Sequence, residues 1–158
     1  MDWDAIYREQ MPRVYNFFRY RTGDDLAAQD LTAATFERAW RSRERYCQDL
    51  GTVQSWLFAI ARNVAKDYFQ RHARQPLPID EDLPEPGSLD EDTQLQQEFD
   101  QLQILIATLD SREQELIALK YGADLNNRSI AHMTGLTETN VSTLLYRIIR
   151  KLRAGWKP

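Results

Sequence analysis

The stretch IAHMTGLTETNVS, Ile130 to Ser142, holds two short helical patterns that meet at a single glycine. Asn126 is placed to cap a helix running through Met133 that buries Ile130 and Ala131. Gly135 supplies the turn, where a positive φ costs least. Leu136 pins that turn inward, and Thr137 caps the next helix. There Val141, Leu145, Ile148 and Leu152 recur at steps of four, three and four, a buried stripe. The opposite face shows Thr139, Ser142, Thr143, Tyr146, Arg147 and Arg150. Helix, glycine turn and helix at this length make a helix-turn-helix, although a plain helical hairpin has the same outline. The second helix opens on threonine and asparagine, not on lysines.

Working outward, DSREQELIALKYG precedes the motif. Ser111 with Gln114 three residues on matches a capping box, and Gly122 is a natural stop. Before it, a helix from about Gln96 to Leu109 is expected to bury Phe99, Leu102, Leu105, Ile106 and Leu109. Farther back the composition changes abruptly. Residues 75–95, QPLPIDEDLPEPGSLDEDTQL, carry seven acids, no base and four prolines. Like charges repel and proline removes backbone donors, so an extended, poorly ordered linker is expected. The net charge of -4 hides this division. Residues 1–74 hold 12 Lys/Arg against 10 Asp/Glu, and residues 96–158 hold 8 against 7. The chain thus divides into halves at 1–74 and 96–158, each able to bury only a modest core.

The N-terminal half also reads as helix, so the fold class is all-α: two small helical domains on an acidic, Pro-rich linker. A first helix spans about Trp3 to Arg21, with a break expected near Pro12. Gly23 ends it and Asp24 caps the next. In that second helix Leu31, Thr35, Phe36, Ala39 and Trp40 share one arc, wider than one neighbouring helix requires. Core packing or a partner's helices would cover it. A loop around Gly51 follows. The last helix of this half starts near Val53 and buries Trp56, Leu57, Ile60, Ala61, Val64 and Tyr68. Its other side presents Arg62, Asn63, Lys66 and Gln70. Arg and Lys neutralise phosphate and Asn and Gln bond base edges, so this face suits nucleic acid; a solvated helix face has the same composition.

Several classes find no support. Cys47 is the one cysteine, which rules out an internal disulfide and fits a reducing cytoplasm. His72 and His132 are far apart, no ligand spacing resembles a zinc site, and no Gly-rich phosphate loop occurs. No cofactor, metal, catalytic residue or small-molecule substrate is expected. No apolar run is long enough to span a membrane, and the N-terminus lacks a signal peptide's pattern, so neither membrane insertion nor secretion is expected. Cys47 lies in the loop but has no activating group beside it, which favours an inert thiol over a redox sensor.

Taken together, these segments resemble the sigma-70 family of bacterial transcription initiation factors, and within it the small extracytoplasmic-function (ECF) group. DLTAATFERAWR, Asp30 to Arg41, is similar to the family's core-binding helix. SWLFAIARNVAKDYFQR, Ser55 to Arg71, is similar to its helix for the promoter −10 element. The stretch from Leu109 to Arg153 is similar to the domain for the −35 element. The resemblance implies that residues 1–74 are region 2, with Asp30, Leu31, Thr35, Phe36 and Trp40 docking on the largest subunit of core RNA polymerase. It implies that Tyr46, Gln48 and Asp49 help capture a flipped base as the −10 element melts, beside Arg62, Asn63, Lys66 and Gln70 on the DNA. Residues 96–158 are then region 4, seated on the other large subunit. Arg128, Thr137, Thr139, Asn140, Ser142, Thr143, Tyr146, Arg147 and Arg150 would meet the major groove of the −35 element. The acidic linker would run past the active centre as an imitation of RNA. An anti-sigma protein is the further partner implied.

Two departures bear on this. Ala33-Ala34 stands where the family often has Gln-Glu, and Val141-Ser142-Thr143-Leu144-Leu145 where it commonly has Val-Lys-Ser-Arg-Leu. Weak −35 binding by the C-terminal half alone is therefore expected, with specificity leaning on the −10 side. A mimic that sequesters an anti-sigma protein without driving transcription is the alternative. A dimeric repressor would need a palindromic site and a dimer seam, and no such seam is visible.

Overall fold

The computed structural model describes residues 2–73 and 91–158. Among them every regular element is helical. The N-terminal half consists of α1 (Trp3–Thr22), α2 (Asp25–Arg41) and α3 (Val53–Ala73), with single 3₁₀ turns at Arg43–Arg45 and Gln48–Leu50 between the last two. The C-terminal half consists of α4 (Glu91–Ala107), α5 (Ser111–Ile117), a π-turn at Ala118–Gly122, α6 (Asn127–Thr134) and α7 (Glu138–Gly155). The expected linker over 75–90 lies outside the described residues. Helix α4 already covers 91–95, where no proline occurs.

Local chemistry sets the element ends. Asp2, Asp24, Asn126 and Thr137 each cap a helix by accepting a backbone N–H in its first turn. Gly23 and Gly135 terminate α1 and α6 in the left-handed region, at φ 69° and 75°. The capping box before α5 is one residue earlier than expected. Asp110 Oδ1 accepts from the Glu113 N–H at 2.8 Å, and Glu113 Oε1 accepts from the Asp110 N–H at 3.2 Å. A carboxylate offers two acceptors to the orphan donors, so Asp110 outcompetes Ser111. Gln114 instead reaches back to the carbonyls of Ile106 and Leu109.

The break expected at Pro12 does not occur: α1 runs through it. Pro12 and Arg8, whose carbonyl loses its intrahelical donor, are both exposed, so water can take that bond. The reason the helix continues is packing. Helix α1 lies between α2 and α3 on one side and the π-turn and α5 on the other. Phe17, Phe18 and Phe58 are fully buried at its centre, with edge-to-face ring contacts at 5.2 and 5.9 Å. Phe58 and Ala65 join the core although the expected stripe omitted them. Trp56, Ile60 and Tyr68 are only half-buried. In α2 the buried arc is Ala28, Thr32, Thr35, Phe36 and Ala39. The hydroxyls of Thr32 and Thr35 donate back to the carbonyls of Ala28 and Leu31 at 2.6 and 2.8 Å, so no buried donor is wasted. In the C-terminal half Val141, Leu145, Ile148 and Leu152 form the buried stripe of α7 as expected. Of the apolar residues expected inside α4, only Ile106 is buried; Leu109 is buried just beyond its end, while Phe99, Leu102 and Leu105 are half-buried.

Candidate nucleic-acid and polymerase interfaces

The helix-turn-helix presents its outer face freely. Arg128, Thr137, Thr139, Asn140, Ser142, Thr143, Tyr146, Arg147 and Arg150 are all exposed. Thr137 is also engaged locally, its hydroxyl capping α7 at the Asn140 N–H. Ser142 Oγ accepts from Asn127 Nδ2 at 3.0 Å, which ties the two helices of the motif together. The Arg150 guanidinium lies 5.9 Å from the Tyr146 ring centre. From Glu138 to Tyr146 the helix carries no lysine or arginine. Leu144, where the resemblance leads one to expect a cation, is half-buried and packs against the core.

The face of α3 is differently placed. Arg62, Asn63, Lys66 and Gln70 do share one cleft, of about 620 Å³. Its opposite wall, however, comes from the C-terminal half through Ser111 and Glu115. Arg62 is not free. Its Nε and Nη2 donate to Glu115 Oε1 at 2.9 and 2.8 Å, and its Nη1 donates to the Met133 carbonyl in α6. Asn63, Lys66 and Gln70 are exposed. Arg21, which nothing in its local sequence singles out, also lines the cleft. It stacks over the Phe69 ring at 4.5 Å, and Nη1 donates to Gln114 Oε1 at 3.1 Å. Burial lowers its pKa, and Glu115 opposes that shift.

Next to this cleft the loop after α2 forms a hollow. Tyr46 stacks on Trp56 with ring centres 5.4 Å apart, and its hydroxyl donates to the Gly51 carbonyl at 2.9 Å. Gln48 and Asp49 are exposed, as is Cys47. Thr52 and Ser55 add hydroxyls that sequence reading missed. The far wall is His132 and Met133 of α6.

The residues expected to dock on polymerase divide. Thr35 and Phe36 are buried and hold α2 in its own half. Asp30 is exposed and Leu31 half-exposed. Trp40 is 45 % exposed, packing on Trp3 with Arg43 above it at 3.7 Å. Leu26, which the expected set omitted, is 71 % exposed. At helical spacing Leu26, Asp30, Ala33, Glu37 and Trp40 form one outward stripe. Among the described residues no helix is long and apolar enough to cross a membrane, and no cluster of His, Cys, Asp or Glu could hold a metal.

Two halves of this form, one with a helix-turn-helix and one with a basic–amide helix face, match known sequences in the same order. The Sigma-70 region 2 family matches residues 6–75, and Sigma-70, region 4 matches residues 105–154. The ECF RNA polymerase sigma factor SigM of Bacillus subtilis is 32% identical over 98% of this chain and 94% of its own length. The chain belongs to the ECF sigma factors of the sigma-70 family. Members of this family are transcription regulators and not enzymes. The ECF sigma factor BldN of Streptomyces coelicolor is 29% identical over 93% of this chain but only 57% of its own length. Among solved structures, the fold is similar to the sigma factor RpoE of Bartonella quintana, crystallised with the anti-sigma factor NepR. That likeness has a TM-score of 0.71 at 17% identity and covers 98% of this chain and 96% of that one. It is also similar to CnrH, solved with the cytosolic domain of CnrY, with a TM-score of 0.72 at 18% identity over 96% of this chain and 85% of that one.

Proposed function

We propose that this ECF sigma factor binds both large subunits of core RNA polymerase in the cytoplasm, directs the enzyme to specific promoters and helps melt the −10 element. The observation that carries this is the pairing of two separate DNA-suited faces on one chain: the outer face of α7 and the Arg62–Gln70 row of α3. The first domain is residues 1–74 and the second 96–158, joined by the acidic 75–95, whose last five residues already belong to α4.

On this reading Asp30, Leu31 and Trp40, with Leu26, form the contact to the largest subunit. Thr35 and Phe36 act through α2's packing. Exposed Asn63, Lys66 and Gln70 meet −10 DNA, joined by Arg62 once it leaves Glu115. The Tyr46–Trp56 hollow takes an unstacked base, whose removal from the stack costs a few kcal/mol. Short side chains on α7 read the −35 element, while the polymerase supplies most of the hold on DNA. An anti-sigma protein keeps the factor inactive; the complexes formed by the two structural relatives support that part.

Exposed Ala33, on the stripe that would face polymerase, favours one alternative, a mimic that only sequesters an anti-sigma protein. Reconstitution with purified core polymerase separates the two. Discrete transcript start sites are expected. A chain that binds an anti-sigma protein and yields no transcript would establish the mimic instead.

A further inference from the structure

We infer that Asn127 turns the Ser142 hydroxyl into a hydrogen-bond donor toward DNA, so that this position of α7 selects a base edge that accepts. The inference rests on the reading that the outer face of α7 enters the major groove, and adds what Ser142 distinguishes there. Two consecutive asparagines open α6 and divide the work. Asn126 Oδ1 accepts from the Ser129 N–H at 2.8 Å and caps the helix. Asn127, the first helical residue, reaches across to α7 instead, and its Nδ2 donates to Ser142 Oγ at 3.0 Å. Asn127 Oδ1 is buried and meets no donor among the described residues, so the amide engages Ser142 through its NH2 alone. An NH2 group gives hydrogens and has no acceptor to offer. Ser142 Oγ therefore accepts, and its own proton turns away from Asn127. Among the described residues no carbonyl takes that proton, in contrast to Thr134, whose hydroxyl donates to the Ile130 carbonyl at 2.7 Å. Ser142 is exposed, so the proton is left for a partner outside the chain.

The consequence is selectivity from a side chain that ordinarily has little. A free serine hydroxyl rotates to give or to take, and so tolerates either kind of base edge. Held by Asn127, it gives. In the major groove guanine presents O6 and N7 as acceptors and thymine presents O4, whereas cytosine presents its N4 donor. Guanine or thymine opposite Ser142 is thus favoured over cytosine. One lone pair of Oγ remains, but using it for cytosine leaves the hydroxyl proton without an acceptor in the groove. Ser142 is the fifth residue of α7, within the N-terminal stretch of a recognition helix that meets base edges.

The test uses the full chain with core RNA polymerase and duplexes carrying a mapped promoter, its −35 element varied one base pair at a time. Competition binding reads the preference at each position. At one position the wild-type chain is expected to favour guanine or thymine over cytosine by about fivefold, the scale of one hydrogen bond. Ser142→Ala should level that position and leave the others as they were. Asn127→Asp is the sharper case. A carboxylate can only accept, so Ser142 turns its proton inward and shows DNA its lone pairs, and the preference should invert toward cytosine. An aspartate in the first turn suits the positive end of a helix, so the melting temperature should be kept. If Asn127 were merely structural, the variant would weaken binding alike at every position and invert nothing, which would overturn the inference. A wild-type preference retained in Asn127→Asp but lost in Ser142→Ala would also overturn it, while leaving α7 in the groove. Ser142→Ala without effect at any position would remove this face from the −35 element, and the inference with it.

Discussion

Ser142→Lys places one positive charge at the lightly charged start of α7, and its effect can be worked out in advance. Ser142 is exposed, between Thr139 and Tyr146 on the outer face, and no cation precedes Arg147 on that helix. The substitution loses one exposed hydrogen bond from Asn127 and nothing buried. A recognition helix meets base edges with its N-terminal residues, so a lysine here reaches the phosphates flanking the groove. One added phosphate contact steepens the dependence of log K on log salt by about 0.9. Between 50 and 200 mM salt the variant should therefore lose about 3.5-fold more affinity than wild type, with its advantage concentrated at low salt. The assay is anisotropy titration of the full chain on a duplex containing a mapped promoter, at several salt concentrations. Leu144→Arg is the control. Leu144 is half-buried against the core, so an arginine there gives up apolar contact and should lower the melting temperature. An unchanged slope for Ser142→Lys would refute the placement of this face on DNA. A full slope gain for Leu144→Arg with no thermal cost would refute the packing role given to Leu144.

Three other perturbations test the fold. Phe58→Ala removes a fully buried ring at the α1–α3 contact and should cost about 3–5 kcal/mol by urea unfolding. Asp110→Ala deletes the capping box of α5 and should cost about 1 kcal/mol, whereas Ser111→Ala should cost little. The Tyr15 hydroxyl donates to Asp25 and is the main reason the Asp25 carboxyl titrates below its ordinary value. A depressed folded pKa gives stability that is present above the unfolded carboxylate range and is lost as pH falls through the folded value. Tyr15→Phe should therefore raise the Asp25 pKa in a carbon-detected NMR titration and flatten the acid side of the stability profile.

What the sequence made legible was the chemistry that acts over three or four residues. Gly23, Asp24, Asn126, Gly135 and Thr137 act where their types predict, because a cap or a left-handed turn is decided by its own neighbours. The α7 stripe was legible for the same reason: a single amphipathic face packs on one side. Helix α3 was read less well, since α1, α2 and α6 all approach it and its buried arc widens to take in Phe58 and Ala65. Pro12 misled because a local penalty was weighed without the tertiary contacts that outweigh it. The pairing of Arg62 with Glu115 was out of reach altogether. It joins residues 53 apart in the chain, and no periodicity records it. The exposed faces could be placed, but not what α3's face touches.

The lightly charged recognition helix and the paired Arg62 of α3 serve one end on the proposed function. Phosphate contacts supply nearly all non-specific affinity, and a genome offers a vast excess of non-specific sites. A small factor with a basic reading helix and an open basic cleft would spend its time on that excess. This chain limits the loss in two independent ways: α7 has no cation in its first two turns, and Arg62 is already paired with a carboxylate within the protein. The side chains suited to base edges remain, so discrimination is kept while bulk attraction falls. On the proposed function, a partner that brings its own grip on DNA then makes the chain a promoter reader. Glu115→Gln, which removes the carboxylate that holds Arg62, should therefore raise the affinity of the full chain for random-sequence DNA in an anisotropy titration, and an unchanged affinity would refute the part given to that pair.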